Sequence, residues 1–175
     1  MVAWKHLRAI LLLPGVVTLV IPGIILWRTG MDSWGLWQSV PVTGIILPVI
    51  GGMCICLGLT LMVATIRLFV TVGKGTLAPW DPPQHLVVRG VYRQVRNPMI
   101  SGVLFVLLGE SVLTASMPLF RWFLIFVVIN AIYIPLMEEP MLVRRFGEDY
   151  LVYKRNVPRW IPRWKPWESR LLDQF

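Results

Sequence analysis

The sequence has few charged residues and no long hydrophilic segment. Asp, Glu, Lys and Arg make up only 15% of its 175 residues, whereas 56% are hydrophobic. Typical soluble domains contain roughly 45–50% apolar residues. Too little polar side chain is present to cover a soluble globule, and no segment could fold as a separate soluble catalytic domain. Because this length fits one domain, we predict a single all-α membrane domain over residues 1–175.

Cysteine is also scarce. The two cysteines, Cys54 and Cys56, lie in one apolar run. Two positions apart on a helix they point to nearly opposite faces, so they cannot readily bind one metal ion. We expect both to be packing residues, and we predict no metal site, disulfide or redox function.

Long hydrophobic runs make up much of the sequence. About 20 apolar residues are needed to cross the ~30 Å core of a bilayer. The runs lie at residues 9–27, 40–72, 99–113 and 119–137. Two prolines in the first run, and the lack of a small-residue cleavage site after it, favour a retained helix over a signal peptide. The second run predicts one long tilted helix, and the short gap between the last two predicts a tight helical hairpin. We therefore predict about four transmembrane helices, of which residues 1–73 supply the N-terminal ones.

The Lys and Arg residues are segregated to one end of these predicted helices. With four crossings, both termini lie on the same side of the membrane as the loop 74–97. All 17 Lys and Arg residues fall on that side except Arg28 and Arg121. Since basic segments stay cytosolic, we predict that the termini and this loop are cytosolic. The net charge of +8 then needs no nucleic-acid partner, and we expect none. On the other side, near the hairpin turn, we expect Arg121 to pair with Glu110.

The C-terminal segment 140–156 has an amphipathic pattern. The apolar and aromatic residues on its predicted helical face are Leu142, Phe146, Tyr150 and Tyr153. We predict one amphipathic cytosolic helix that lies either on the membrane surface or against the loop. The Trp and Pro residues of segment 160–167 are typical of a membrane interface.

Two polar clusters flank the predicted hairpin, at residues 92–98 and 138–139. An antiparallel hairpin with its turn near residue 116 places Asn97 level with about residue 136. Arg96, Asn97 and Glu138 should therefore meet at the cytosolic mouth of the hairpin. The helix that starts there would offer free backbone N–H groups, which favour an anionic or polar ligand group. An ion-paired helix boundary without a ligand is the alternative.

A longer pattern runs through the same region. Its stretches are Gly75-Thr76-Leu77-Ala78-Pro79-Trp80-Asp81-Pro82-Pro83, His85-Leu86-Val87-Val88-Arg89-Gly90-Val91-Tyr92-Arg93, Arg96-Asn97-Pro98, Gly102, Glu138-Glu139, Phe146-Gly147-Glu148-Asp149-Tyr150, Tyr153, Val157-Pro158-Arg159 and Ile161-Pro162. In order, spacing and identity, this pattern resembles the isoprenylcysteine carboxyl methyltransferase family and its phospholipid methyltransferase relatives. The resemblance covers about half of the chain and makes residues 74–163 the methyltransferase-like catalytic region.

The resemblance implies an integral membrane methyltransferase that uses S-adenosylmethionine, releases S-adenosylhomocysteine and acts on a lipophilic acceptor among the membrane lipids. No Rossmann fold is implied, and the sequence has no G-x-G-x-x-G motif after a strand. The implied cofactor-binding residues are His85, Leu86, Val87, Val88, Tyr92, Asn97, Pro98, Met99, Ile100 and Glu138. Arg96 and Glu139 are the candidate catalytic residues. Glu139 could accept a proton from an ammonium substrate, and a structural role at a helix start is the alternative.

The chain differs from the prenylcysteine enzymes at three positions. Asn97 replaces a histidine, Ile100 replaces a tyrosine, and Ile134 replaces an arginine that resembles an anchor for the substrate carboxylate. Asn97 cannot titrate, so we predict that it binds rather than acts as a base. The alternatives are phospholipid amine methylation, reduction of a sterol-like lipid with a nicotinamide cofactor, and a non-enzymatic membrane partner protein. The sequence does not specify the acceptor or the oligomeric state.

Overall fold

The computed structural model describes residues 11–30, 43–73 and 84–168, and regular structure in these ranges is helical, without a β-strand. The predicted all-α class is thus confirmed for the described residues. Besides a short 3-10 helix at Gly90–Arg93, five longer helices follow in chain order in these ranges. They are α1 (Leu11–Val20, π-helical, and Ile21–Thr29), α2 (Thr43–Leu68, with π-helical turns at Phe69–Gly73), α3 (Pro98–Leu113), α4 (Met117–Tyr133, with π-helical turns at Ile134–Glu138) and α5 (Glu139–Asn156).

Two helical stretches are long and apolar enough to cross a membrane. These are Ile45–Gly73 and Met117–Asn156, while α1 and α3 are shorter apolar helices. In the second stretch, no charged residue occurs between Arg121 and Glu138. The membrane-spanning part of this stretch therefore ends near Met137, and the charged remainder lies outside it. Four crossings and a cytosolic position of the termini stay predictions.

Helices α2 and α3 pack against each other through glycines seven residues apart on each helix. A Cβ atom on Gly58 would lie 2.5 Å from the carbonyl oxygen of Gly102, and one on Gly51 would lie 2.9 Å from that of Gly109. These distances leave no room for a side chain, so the two backbones approach closely. This packing fixes α3, and with it the start of the hairpin, against the long helix α2.

The predicted tight hairpin between α3 and α4 is present. Only Thr114, Ala115 and Ser116 separate the two helices, and Ala115 has a φ of 49°. Ser116 caps α4 by accepting a hydrogen bond from the backbone N–H of Leu119 at 3.4 Å. This connection returns the chain to the end at which α3 began.

The predicted ion pair between Glu110 and Arg121 is wrong. Both residues are described, and none of the described ion pairs joins them. Arg121 is exposed, whereas Oε2 of Glu110 is buried without a hydrogen-bond partner in the described structure. Glu110 lies before the turn and Arg121 lies after it. The exposed side chain of Arg121 projects outward from α4 rather than toward α3.

The predicted amphipathic helix at the C-terminus is present as α5, but it is not continuous, because it is broken at Gly147. This residue has φ 57° and ψ −131°, a conformation that glycine adopts far more readily than other residues. A straight helix would place Glu139 and Lys154 about 22 Å apart along its axis. Their side chains instead meet at 2.7 Å. The break therefore turns the second half of α5 back toward its start.

Candidate active site

The loop before α3 is held by the segment that follows α5, which we name the C-terminal strap (residues 157–168). Three backbone hydrogen bonds join them, from Arg96 N to Pro158 O, from Arg163 N to Gln94 O and from Trp167 N to Arg93 O, at 2.9–3.0 Å. The order of these partners shows that strap and loop run antiparallel. The strap thus encloses the loop at the mouth of the hairpin.

Side chains of the loop bind the same strap through its carbonyl groups. The Nε–H groups of Arg93 and Arg96 donate to the carbonyl oxygens of Trp167 and Val157, at 2.8 and 2.9 Å. The side-chain amide of Asn97 donates to the carbonyl of Arg159 at 3.4 Å. Asn97 therefore acts as a donor to the strap, and its predicted role in ligand binding stays a prediction.

The aromatic face of α5 packs against the loop, as one of the two predicted positions for this helix requires. Val88, Tyr150, Tyr153 and Val157 form a buried cluster. The hydroxyl of Tyr153 donates to the carbonyl of Tyr92 at 2.7 Å. The ring of Tyr92 in turn meets Phe69 of α2 edge to face, with centroids 5.9 Å apart. The loop is thereby fixed between α2 and α5.

Glu139 lies at the centre of the polar part of this site and is only 2% exposed. Its Oε1 accepts hydrogen bonds from Nη1 of Arg96 at 2.9 Å and Nε of Arg159 at 2.7 Å. Its Oε2 lies 2.7 Å from Nζ of Lys154. Burial opposes ionisation of this carboxyl group, but the three cations outweigh it and lower its pKa to about 2. Glu139 is therefore an ionised carboxylate that joins the loop, α5 and the strap.

Arg96 is correspondingly occupied by protein partners. Besides Glu139 and the carbonyl of Val157, its guanidinium donates to the hydroxyl of Tyr150 at 3.3 Å. Its side chain is 8% exposed. Since most of its donors are used within the protein, Arg96 offers little to a ligand and instead holds the mouth of the hairpin together.

Glu138 differs from its neighbour Glu139 in burial, in partners and in the direction of its pKa shift. It is half-buried, and no side chain in ranges 43–73 and 84–168 forms an ion pair or hydrogen bond with its carboxylate. Burial and the adjacent charge of Glu139 raise the pKa of Glu138, and Arg96 only partly offsets them. A half-buried carboxylate without a partner is costly unless a ligand pairs with it. Glu138 is thus the acidic group at this mouth that is available to a ligand.

The start of α3 lies at the same mouth. Asn97 is the N-cap residue, Pro98 follows in the first turn, and no side chain caps the helix. The backbone N–H groups at Met99 and Ile100 belong to the first turn, which has no partners within its own helix. The N-terminus carries a partial positive charge, so it favours an anionic group.

The predicted site residues fall into a group at the helix junction and a group in the loop, and their binding roles stay predictions. Arg96, Asn97 and the two glutamates meet at the junction between α4 and α5, with Glu139 rather than Glu138 in direct contact with Arg96. His85 and Leu86 are half-buried in the loop, and Val87, Val88 and Tyr92 are buried. The matching stretch at residues 75–83 lies outside the described residues.

Lys154 and Arg159 are the residues that our sequence reasoning missed. They lie 15 and 20 positions after Glu139, and a continuous helix over 140–156 would have carried both away from it. The available signal was Gly147, since a glycine in the middle of an amphipathic helix indicates a possible break.

Comparison with known proteins identifies one family. A family model described as phospholipid methyltransferase matches residues 47–149, which is more than half of the chain. The matched part runs from α2 through the hairpin to the first half of α5, so it includes the mouth and both glutamates. No curated protein and no solved structure matches the chain.

Proposed function

The chain belongs to the phospholipid methyltransferase family, and from this premise we propose that it methylates a lipophilic acceptor at the cytosolic face of a membrane. Family membership implies a membrane methyltransferase that uses S-adenosylmethionine as methyl donor. We assign the catalytic region to residues 74–163 and the site to the mouth of the α3–α4 hairpin. The observation that carries this assignment is the half-buried, unpaired carboxylate of Glu138 beside the uncapped start of α3.

The groups at the mouth fit the ends of S-adenosylmethionine. This cofactor supplies an electrophilic methyl group on a sulfonium sulfur. Its carboxylate suits the backbone N–H groups at Met99 and Ile100, and its amino or ribose hydroxyl groups can donate to Glu138. His85, Leu86, Val87, Val88 and Tyr92 would line the side of the loop, with Leu86 offering an apolar surface for adenine. Asn97 and Pro98 would fix the start of α3.

Two side chains at the mouth favour a lipid amine as the acceptor over a carboxylate. Ile134, where the prenylcysteine enzymes have an arginine, is an aliphatic residue that is only 1% exposed. The most buried cation at the α4–α5 junction, Arg96, is engaged with Glu139 and with the carbonyl of Val157. It therefore offers little to a substrate carboxylate. Glu138 instead attracts a cationic headgroup such as that of an aminophospholipid.

An ammonium acceptor must lose a proton before its nitrogen can attack the methyl carbon. Glu139, with its pKa lowered to about 2, is a poor base at neutral pH. Glu138 is the better proton acceptor because its raised pKa lies closer to the pH at which the reaction runs. When bound, S-adenosylmethionine would supply the methyl group to the acceptor nitrogen, and its sulfur would keep the electron pair of the broken sulfur–methyl bond. Positioning and exclusion of water supply the remaining catalysis.

Glu139 and Arg96 are positioning residues in this proposal. Their contacts connect the loop, α5 and the strap, and neither has much surface left for substrate. They hold Glu138 and the start of α3 in one place. The structural alternative for Glu139 is thus the one that its contacts favour.

The direct test is methyl transfer by the purified full-length protein in vesicles that contain phosphatidylethanolamine. With methyl-labelled S-adenosylmethionine, we expect label in the lipid amine. Glu138→Gln should lower kcat at least tenfold with a smaller effect on S-adenosylhomocysteine binding, because the amide keeps an acceptor oxygen but cannot take a proton. Glu138→Ala should weaken both. Glu148→Gln, which alters an exposed glutamate on α5, is the matched control and should retain activity.

Three other outcomes would overturn the proposal. Base-labile label on a lipidated carboxylate would show ester formation instead of amine methylation. Tight binding of NADPH would indicate a lipid reductase. Failure to bind any adenosyl cofactor would leave a non-enzymatic membrane protein.

A further inference from the structure

The C-terminal strap carries two large apolar side chains that contact almost nothing. Trp164 is 99% exposed and Ile161 is 80% exposed. The backbone hydrogen bonds at Pro158, Arg163 and Trp167 fix the strap on both sides of these residues. Trp167, in the same strap, is half-buried and packs against Tyr153, with ring centroids 6.1 Å apart. Trp164 and Ile161 therefore project away from the protein although the backbone that carries them is firmly held.

The strap starts where the apolar part of α4 ends. Arg159 contacts Glu139 at 2.7 Å, and Glu139 follows the uncharged stretch 122–137 by two positions. Trp164 lies five positions after Arg159, which is at most about 17 Å of extended chain. The polar headgroup layer is roughly 5–8 Å thick on each side of the bilayer. Trp164 and Ile161 are thus within reach of the membrane surface from which α4 emerges.

The charges around these two residues are complementary to an anionic surface. Arg163 and Lys165 flank Trp164 in the sequence, and Lys165 is exposed. Arg159 shares the carboxylate of Glu139 with Arg96 and Lys154, and Glu168, the acidic residue of the strap, lies 3.9 Å from Arg93. Arg163 is half-buried and donates from Nη1 to the carbonyl of Asn156 at 2.7 Å, which is a neutral partner. None of the described ion pairs involves Arg163 or Lys165, so both contribute positive charge beside Trp164.

We propose that Ile161, Arg163, Trp164 and Lys165 form a docking surface for an anionic lipid bilayer. Trp is favoured at the level of the headgroups, where its ring is half in an apolar environment. Basic side chains beside it attract anionic lipid headgroups. Because the strap is hydrogen-bonded to residues 93–97, its attachment to the bilayer sets the height of the α3–α4 mouth above the membrane. This inference concerns binding and does not depend on methyl transfer.

The first test measures the depth of Trp164. The chain has nine tryptophans, so the signal of Trp164 is obtained by subtracting the fluorescence of Trp164→Phe from that of the full-length protein in vesicles. We expect lipids with brominated acyl chains to quench this difference at least twofold and aqueous iodide to leave it nearly unchanged. Trp167→Phe is the matched control: Trp167 is half-buried against Tyr153, so brominated lipids should quench its difference signal less than that of Trp164. Strong quenching of the Trp164 signal by iodide alone would overturn the proposal.

The second test addresses the charge. Hydrogen exchange of the strap is compared in vesicles of phosphatidylcholine and in vesicles that also contain phosphatidylglycerol. We expect phosphatidylglycerol to slow exchange in residues 160–166 at least threefold, and the variant Arg163→Gln/Lys165→Gln to lose this response while α3 exchanges as before. An equal response in the variant would overturn the proposal. So would a shielded Trp164 that no brominated lipid quenches in a dimeric protein, because a second copy would then cover the surface.

Discussion

Replacing Glu139 by glutamine removes the negative charge that three cations share. Arg96 is left with a neutral partner in a place where its side chain is only 8% exposed, whereas Arg159 and Lys154 are 30% and 40% exposed and can be hydrated. We therefore expect most of the cost to come from Arg96, and little from the two more exposed cations.

The size of the effect follows from the pKa of Glu139. A fall from 4.5 to about 2 corresponds to roughly 3 kcal/mol of stabilisation of the ionised form, at about 1.36 kcal/mol per unit. Glutamine keeps one oxygen that can accept from Arg96, so we expect a loss of about 2–3 kcal/mol. For a chain of this length, that equals a decrease in Tm of about 5–10 °C.

The pH dependence has a defined sign. The pKa of Glu139 is lower in the folded than in the unfolded chain, so its stabilisation is complete above about pH 5 and is lost as the pH falls toward 2. Thermal unfolding in detergent micelles, followed by near-UV circular dichroism from pH 7 to pH 3, measures this. The Tm difference between the natural protein and Glu139→Gln should shrink with decreasing pH. A difference that stays constant to pH 3, or one no larger than that of Glu148→Gln, would refute the reasoning.

Further predictions concern the glycine contacts between α2 and α3, the loop and the proposed base. Gly58→Ala should destabilise the protein by about 1–3 kcal/mol because its Cβ would meet a backbone oxygen, whereas Gly52→Ala, with open space around it, should be neutral in the same unfolding assay. Tyr153→Phe should cost about 1 kcal/mol by leaving the carbonyl of Tyr92 without its donor. In rate measurements against pH, methyl transfer should rise through an apparent pKa above the usual range of a glutamate, and Glu138→Gln should lack this limb; an unchanged profile would exclude Glu138 as the base.

The sequence was sufficient to predict the helices that follow from hydrophobic runs. The extent of α2, the hairpin and the meeting of Arg96 with the paired glutamates depend on run length and turn position, which are local properties. The arrangement of side chains at the site depends on more than the local sequence. That Glu139 rather than Glu138 receives the cations depends on the direction of neighbouring side chains on π-helical turns, and the spacing of residues does not specify this direction.

The glycine contacts between α2 and α3 and the reversal of α5 were missed for different reasons. Gly51 and Gly58, and Gly102 and Gly109, are spaced by seven residues on their helices, a signal that could have been recognised. The reversal at Gly147 depends on one residue with positive φ, and helical periodicity continues on both sides of it. The apolar pattern therefore predicted the buried face of α5 correctly and its course wrongly.

The break at Gly147 also determines when the site can form during synthesis. Helices α2 and α3 can pack as soon as the hairpin has been made, because their glycine contacts use only residues within 51–109. The third cation on Glu139, Arg159, and the carbonyl groups that bind the loop belong to the strap, which is made twenty or so residues after Glu139. A nascent chain that stops before the strap would hold the packed helices without the segment that encloses the loop. The site would thus close only after the helices have packed.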